Sequence, residues 1–98
     1  MNELESDPDE QLKPIQFTLH DRDMILDLYT LDAEIEGRFR LAVINGKGIV
    51  ISLNAYDLDE LLGEIAAVAN HEENGKHQKK LDALFKRVSN KLERHFPK

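Results

Sequence analysis

Near the middle of the chain, hydrophobic residues alternate over a short stretch and then change to helical spacing. Ile49, Ile51 and Leu53 recur with a period of two, which is typical of a strand with one buried face. Asn54 follows in the position of a helix N-cap, and Asp57 stands three residues on, where it completes a capping box. The next apolar residues lie three and four positions apart: Leu58, Leu61, Leu62, Ile65 and Ala69. The pattern predicts a strand at 49–53 that leads into a helix at 55–71.

A similar order of residues occurs earlier in the chain. Residues 17–24 and 51–58 share one order of residue types: a hydrophobic residue, a hydroxyl residue, leucine, a candidate N-cap and, three positions after the cap, an acid. His20 stands in the place of Asn54. Histidine is a poor N-cap, so Asp21 and Thr18 are alternative caps. The segment predicts a strand at about 15–19 and a helix at about 21–29, with three residues facing inward: Met24, Ile25 and Leu28. The two predicted strands can pair in one small sheet.

Residues 31–44 allow two interpretations. As a helix capped by Asp32, the segment places one apolar face inward and ends at a C-cap formed by Asn45-Gly46. The face comprises Leu31, Ile35, Phe39 and Ala42. As a strand, its alternating residues Phe39, Leu41 and Val43 would pair with Leu53, Ile51 and Ile49 across a short loop. The helix also accounts for 31–38, and we prefer it although Gly37 costs it about 1 kcal/mol.

The last part of the chain predicts a long amphipathic helix. Asn74-Gly75 breaks the chain, and residues 76–96 then place apolar side chains at spacings of three and four: Leu81, Leu84, Phe85, Val88, Leu92 and Phe96. With the preceding helix it forms an antiparallel hairpin. Small residues of that preceding helix, Gly63, Ala66 and Ala67, predict a face for close packing.

These elements predict an α+β fold that is mainly helical, with about four helices and a two-stranded sheet. The alternative is a β-hairpin at 38–53 followed by a two-helix hairpin. A chain of 98 residues holds one small domain. We assign that domain to 14–98 and expect residues 1–13 to be a disordered acidic tail, because they offer few apolar anchors.

Composition narrows the class of protein. No apolar run approaches the roughly 20 residues that cross a bilayer, and the polar, acidic N-terminus is unlike a secretory leader. The absence of cysteine excludes disulfides and thiolate chemistry within this sequence. We therefore expect a cytoplasmic protein without a membrane association or a cofactor.

The net charge of −6 conceals a gradient along the chain. Residues 1–36 contain eleven acidic and two basic residues, whereas 76–98 contain eight basic and two acidic residues. The predicted last helix therefore has a basic outer face. Its candidate nucleic-acid contacts are Lys79, Lys80, Lys86 and Arg87. No aromatic residues interleave with them for base stacking, and the chain is acidic overall, so attraction between the two ends of the molecule is the simpler interpretation.

The densest polar cluster is His-Glu-Glu-Asn at 71–74, with a second histidine nearby. His71, Glu73 and His77 are residue types that bind zinc or iron. Their spacing matches no established ligand motif, and a solvated loop between helices explains them without a metal.

No catalytic constellation emerges from the sequence, because no nucleophile can be matched with a base and a pocket. We expect a non-enzymatic domain that binds a protein partner or itself, the latter as a homodimer, since so small a core cannot bury every hydrophobic residue. Nucleic-acid binding through the last helix is the first alternative, and a metal-dependent site at 71–77 is the second.

Overall fold

The computed structural model describes residues 7–97, which fold into four α-helices and one three-stranded antiparallel sheet. In chain order the elements are β1 (Lys13–Thr18), α1 (Leu19–Leu26), α2 (Ala33–Leu41), β2 (Ile44–Asn45), β3 (Gly48–Leu53), α3 (Ala55–His71) and α4 (Gly75–His95). The predicted α+β, mainly helical class is confirmed. The sheet contains one short strand, β2, that was not predicted.

The sheet has the order β1-β3-β2, so the most hydrophobic strand lies at its centre. Phe17 pairs with Ile49 and Ile15 with Ile51, which directs all four side chains to the same buried face. Strand β1 ends at Thr18 rather than at residue 19, because the Thr18 hydroxyl accepts a hydrogen bond from the Asp21 N–H at 3.0 Å. Thr18, and not His20, is therefore the N-cap of α1, which begins and ends earlier than predicted.

The ambiguous segment contains both a helix and a strand. Asp32 caps α2 as predicted, but the helix ends at Leu41, and the predicted C-cap at Asn45-Gly46 is wrong. Those two residues instead belong to a tight hairpin in which Asn45 pairs with Gly48. Gly46 has φ of 66°, the conformation that a two-residue loop with glycine in its first position requires. The hairpin is shorter than the predicted 38–53, and the predicted pairing of residues 39, 41 and 43 with β3 is wrong.

The two long helices form the predicted hairpin. Both hydrogen bonds of the capping box are present at the start of α3: Asp57 N–H donates to Asn54 Oδ1 at 2.8 Å, and Asn54 N–H donates to Asp57 Oδ2 at 3.0 Å. Only three residues separate α3 from α4. The prediction that Gly63 belongs to a close-packed face is wrong, because it is exposed and an added Cβ would meet nothing within 4 Å.

One hydrophobic core joins the inner face of the sheet to the helices. Phe17 of β1 and Phe39 of α2 meet edge to face with ring centroids 5.0 Å apart. Helix α4 buries Leu81, Leu84 and Val88 as predicted, whereas Phe85 is partly exposed. All helices contribute side chains to the inner face, so the outer face of the sheet faces solvent.

The predicted N-terminal tail falls partly outside the described residues, which begin at Asp7. Within the described part, Pro8–Glu10 form a short 3₁₀ turn near the start of α3. Tyr56 donates a hydrogen bond from its hydroxyl to Asp7 at 2.7 Å. Lys13, which we placed in the tail, is the first residue of β1, and its ammonium donates to the His95 carbonyl oxygen at 2.5 Å.

Candidate functional site

The outer face of the sheet and its β2 edge carry an apolar patch. Large aliphatic side chains lie exposed there, with 84% of Leu41, 80% of Val43 and 49% of Val50 accessible to solvent. We define the apolar patch as Leu12, Leu41, Val43, Ile44 and Val50. Single exposed hydrophobic residues are ordinary. Here Leu12, Leu41 and Val50 line one depression, whereas Ile44, which pairs with the inward Ile49, is exposed along the β2 edge.

The chain builds this patch from three elements. Leu41 is the last residue of α2, Val43 precedes β2 and Ile44 begins it, and Val50 is an outward residue of β3. Leu12, Leu41 and Val50 line one shallow depression of about 430 Å³, together with Ala42 and the stem of Arg38. Beside the depression lies the free edge of β2, because the sheet order leaves that strand with a single neighbour.

A second concave surface lies on the β1 side of the same face, and we call it the basic cleft. It has a volume of about 570 Å³ and lies between the outer residues of β1 and β3 and the C-terminal half of α4. Its basic residues are Lys47, Lys91, Arg94 and His95. No acidic residue lines it among residues 7–97, and Lys47, Lys91 and Arg94 form no salt bridge with any of those residues.

Packing around Lys91 holds its side chain beside the sheet. The Lys91 ammonium lies 5.2 Å from the centroid of the Phe17 ring, in cation–π geometry. Burial lowers the pKa of Lys91, and the nearby cations Arg94 and Arg87 lower that pKa further, while Asp21 opposes the shift. The ammonium is therefore partly desolvated, and Asp21 is the carboxylate that acts on it.

The candidate nucleic-acid contacts do not form one free surface. Arg87 makes two hydrogen bonds to Asp21, Nε to Oδ2 at 3.0 Å and Nη2 to Oδ1 at 2.7 Å. Asp21 is the only charged residue with a buried side chain among residues 7–97, so Arg87 neutralises a charge within the fold. Lys79, Lys80 and Lys86 are exposed and lie on the outer side of α4.

The candidate metal ligands do not converge. His77 Nδ1 pairs with Glu72, the neighbour of the predicted ligand Glu73, and this bond is the largest cause of the lowered pKa of Glu72. Asn74 caps α4 at the same place by accepting a hydrogen bond from the His77 N–H at 3.0 Å. His71 lies at the exposed end of α3. Across residues 7–97, no group of three potential ligands is placed to hold a metal ion.

Sequence reasoning missed both the apolar patch and the basic cleft. Leu41 and Val43 do not lie on the helical face that residues 31, 35, 39 and 42 define. Large hydrophobic residues outside that face were the signal in the sequence for an exposed apolar surface. The basic residues near the end of α4 were interpreted only as part of the basic outer face of that helix. Their position beside β1 depends on the path of the chain between distant elements, which local patterns do not contain.

Comparison with known proteins adds no family to this description. No helix in the part of the chain that the structure describes is both long and apolar enough to span a bilayer. The sequence matches no protein-family model, and neither curated proteins nor solved structures provide a match.

Proposed function

We propose that this chain is a non-enzymatic protein–protein interaction domain that forms a homodimer through the apolar patch. The observation that carries the proposal is the exposure of five large aliphatic side chains near the free, two-residue edge strand β2. We also propose the cytoplasm as its compartment, which a chain without cysteine fits.

The two edges of the sheet differ in a way that favours a second copy at β2. Pro14 lies in β1 and removes one backbone donor, and the end of α4 lies close to that strand. The residues around β2, Val43 to Asn45, include neither proline nor a charge. Two β2 strands can pair antiparallel about a twofold axis, which would join two three-stranded sheets into one of six strands.

The rim of the patch is electrically balanced, although the chain has a net charge of −6. Arg40 of α2 pairs with Glu36 at 2.7 Å, and Arg38 bonds to both Glu34 and Asp57. Identical rims of mixed charge do not repel each other, so the patch can meet its own copy. A patch with one sign of charge at its rim would instead require a partner of the opposite sign.

The energy available from burial suits a reversible dimer. Full burial of one such side chain contributes about 1.5–3 kcal/mol, so covering ten partly exposed side chains gains on the order of 10 kcal/mol. Association costs about 4–15 kcal/mol in lost freedom. Because the gain from burial and the cost of association are comparable, we expect the dimer to dissociate at concentrations that a sedimentation experiment can cover.

Sedimentation equilibrium at several concentrations tests this proposal. The unmodified chain should approach twice its 11.3 kDa monomer mass as concentration rises. A variant with Leu41→Glu and Val43→Glu should remain monomeric, because it places charge in the patch. Tyr29→Glu is the matched control, since Tyr29 is 72% exposed and lies outside the patch. It should dimerise normally.

All substituted residues are at least 72% exposed, so the variants should keep their helical circular dichroism. A wild-type chain that stays monomeric at millimolar concentration contradicts the proposal. So does a double variant that dimerises as well as Tyr29→Glu.

Nucleic-acid binding by α4 stays a prediction with a reduced set of contacts, since Arg87 pairs with Asp21. Replacing Lys79, Lys80 and Lys86 with glutamine should then abolish salt-dependent binding to DNA or RNA. An unmodified chain that binds neither nucleic acid at low salt rejects this alternative. Elemental analysis of the purified protein tests the metal alternative in the same direct way.

A further inference from the structure

We propose that the basic cleft binds a small phosphorylated organic molecule. The cleft comprises Lys47, Lys91, Arg94 and His95 together with the outward residues of β1 and β3. Its volume of about 570 Å³ lies within the range typical of sites for small molecules. This inference does not depend on the homodimer, although Val50 borders both surfaces and Lys47 lies in the turn between β2 and β3.

The charge of the cleft is opposite to that of the chain. Acidic residues outnumber basic ones by nineteen to thirteen over the whole sequence, yet the cleft contains three fixed cations and no described carboxylate. On the remainder of α4 the structure does supply a carboxylate to a cation, since Asp21 pairs with Arg87. Cations that converge on a concavity without such partners favour an anionic ligand.

Part of the cleft is already ordered. Lys91 packs over the Phe17 ring, and Lys13 fixes the end of α4 against β1 through its bond to the His95 carbonyl oxygen. Binding of a ligand therefore costs less conformational entropy, because the Lys91 side chain is already held in place. An anion would also replace the hydration that Lys91 has lost, which favours binding there over an exposed lysine.

The backbone adds a neutral donor to these cations. The Leu19 N–H donates to the Lys47 carbonyl oxygen at 3.1 Å, which continues the ladder between β1 and β3. Because peptide groups alternate in direction along an antiparallel strand, the Gln16 N–H then points away from β3, toward the free edge beside the cleft. One amide among several cations is a combination that binds phosphate oxygens.

The same details argue against larger ligands. A peptide that extended the sheet would need several free backbone groups, and Pro14 limits the β1 edge to few. A single-stranded nucleic acid would require aromatic side chains for stacking, whereas the aromatic residue of the cleft, Phe17, is 1% exposed.

Titration of the isotope-labelled full-length chain, followed by amide NMR shifts at low ionic strength, tests the proposal. The probes are pyrophosphate, ADP and a short single-stranded DNA. Pyrophosphate and ADP should shift the amides of Gln16, Thr18 and Gly48 in a saturable way. The variant Lys91→Met with Arg94→Gln should bind both at least about tenfold more weakly, because it removes two charge-assisted bonds. Methionine preserves the packing of the Lys91 stem on Phe17.

The matched control removes two charges from the same helix outside the cleft. Lys79→Gln with Lys80→Gln changes the net charge equally, and its affinity should fall less than about twofold. Equal losses in the two variants would show general electrostatic attraction and overturn the proposal. The same conclusion follows if millimolar pyrophosphate and ADP shift no cleft amide, or if the DNA binds more tightly than ADP through Lys79 and Lys80.

If the double variant Lys91→Met with Arg94→Gln loses its wild-type circular dichroism, the single variant Lys47→Gln replaces it in the comparison, because Lys47 lies in an exposed turn. Its affinity for pyrophosphate should fall by several fold. An unchanged affinity in that variant contradicts the proposal.

Discussion

Gly48→Ala should destabilise the fold because Gly48 has no room for a side chain. A Cβ placed on Gly48 would lie 2.5 Å from the backbone carbonyl oxygen of Phe17, on the paired strand. Such atoms are normally at least about 3.4 Å apart. The obstacle is part of a paired backbone, not the end of a flexible side chain, so relief requires β1 and β3 to separate.

The required separation gives the magnitude. The missing distance is about 0.9 Å, which is enough to weaken the hydrogen bonds nearby, such as that from Leu19 N–H to the Lys47 carbonyl oxygen. Overpacking costs about 1–3 kcal/mol, and each lost bond adds about 1 kcal/mol. We expect Gly48→Ala to lose about 2–4 kcal/mol of a total stability of about 5–15 kcal/mol.

Urea denaturation followed by helical circular dichroism measures this loss, since the chain contains no tryptophan for fluorescence. The matched control is Gly63→Ala, in which the new Cβ meets nothing within 4 Å. Within helix α3 alanine is favoured over glycine, so this variant should gain about 0.5–1 kcal/mol. A Gly48→Ala variant within about 0.5 kcal/mol of wild type would refute the inferred strand contact.

Two further predictions concern side-chain pairs. Arg87→Ala should cost about 2 kcal/mol in urea denaturation, because it leaves the buried Asp21 carboxylate unpaired. The Arg87 side chain is partly exposed, so water that takes its place moderates the loss. The control Lys86→Ala should change stability by less than about 0.5 kcal/mol. The bond to Asp7 raises the pKa of Tyr56 to about 12 from its ordinary 10.0 and lowers the pKa of Asp7. Its contribution to stability is therefore present from the ordinary pKa of an aspartate up to about pH 10, and it is lost as the pH rises toward 12 or falls through the lowered pKa of Asp7. Asp7→Asn should return the Tyr56 pKa toward 10, as measured by phenolate absorbance, and an unchanged pKa would contradict the bond.

Local patterns in the sequence were sufficient for the elements that carry their own signals. Helix α3 begins where Asn54 and Asp57 form their capping box, and both bonds depend only on residues three positions apart. The strands at 15–19 and 49–53 were recognisable because alternation is a local property. These predictions required no knowledge of what packs against each element.

The errors arose where tertiary contacts decide. Residues 42–45 are too few for a pattern, and β2 exists because the turn at Gly46 returns the chain to β3. Asp21 was considered only as an alternative cap of the first helix, whereas its carboxylate is buried against Arg87, which lies 66 residues away. Gly63 resembled a packing residue by composition, but the orientation of α3 in the fold turns it toward solvent.

The two proposed surfaces explain each other's position on the sheet. Val50 lies at the boundary between the apolar patch and the basic cleft, in the central strand β3. If the dimer forms through the two β2 edges, the β1 edges become the outer ends of the joined sheet, and both clefts remain open to solvent. Lys91 and Arg94, on α4 beside β1, then lie away from the β2 edge, whereas Lys47 lies in the turn that joins β2 to β3. If both proposals hold, association would use the β2 edge while the cations of α4 stay available to a ligand.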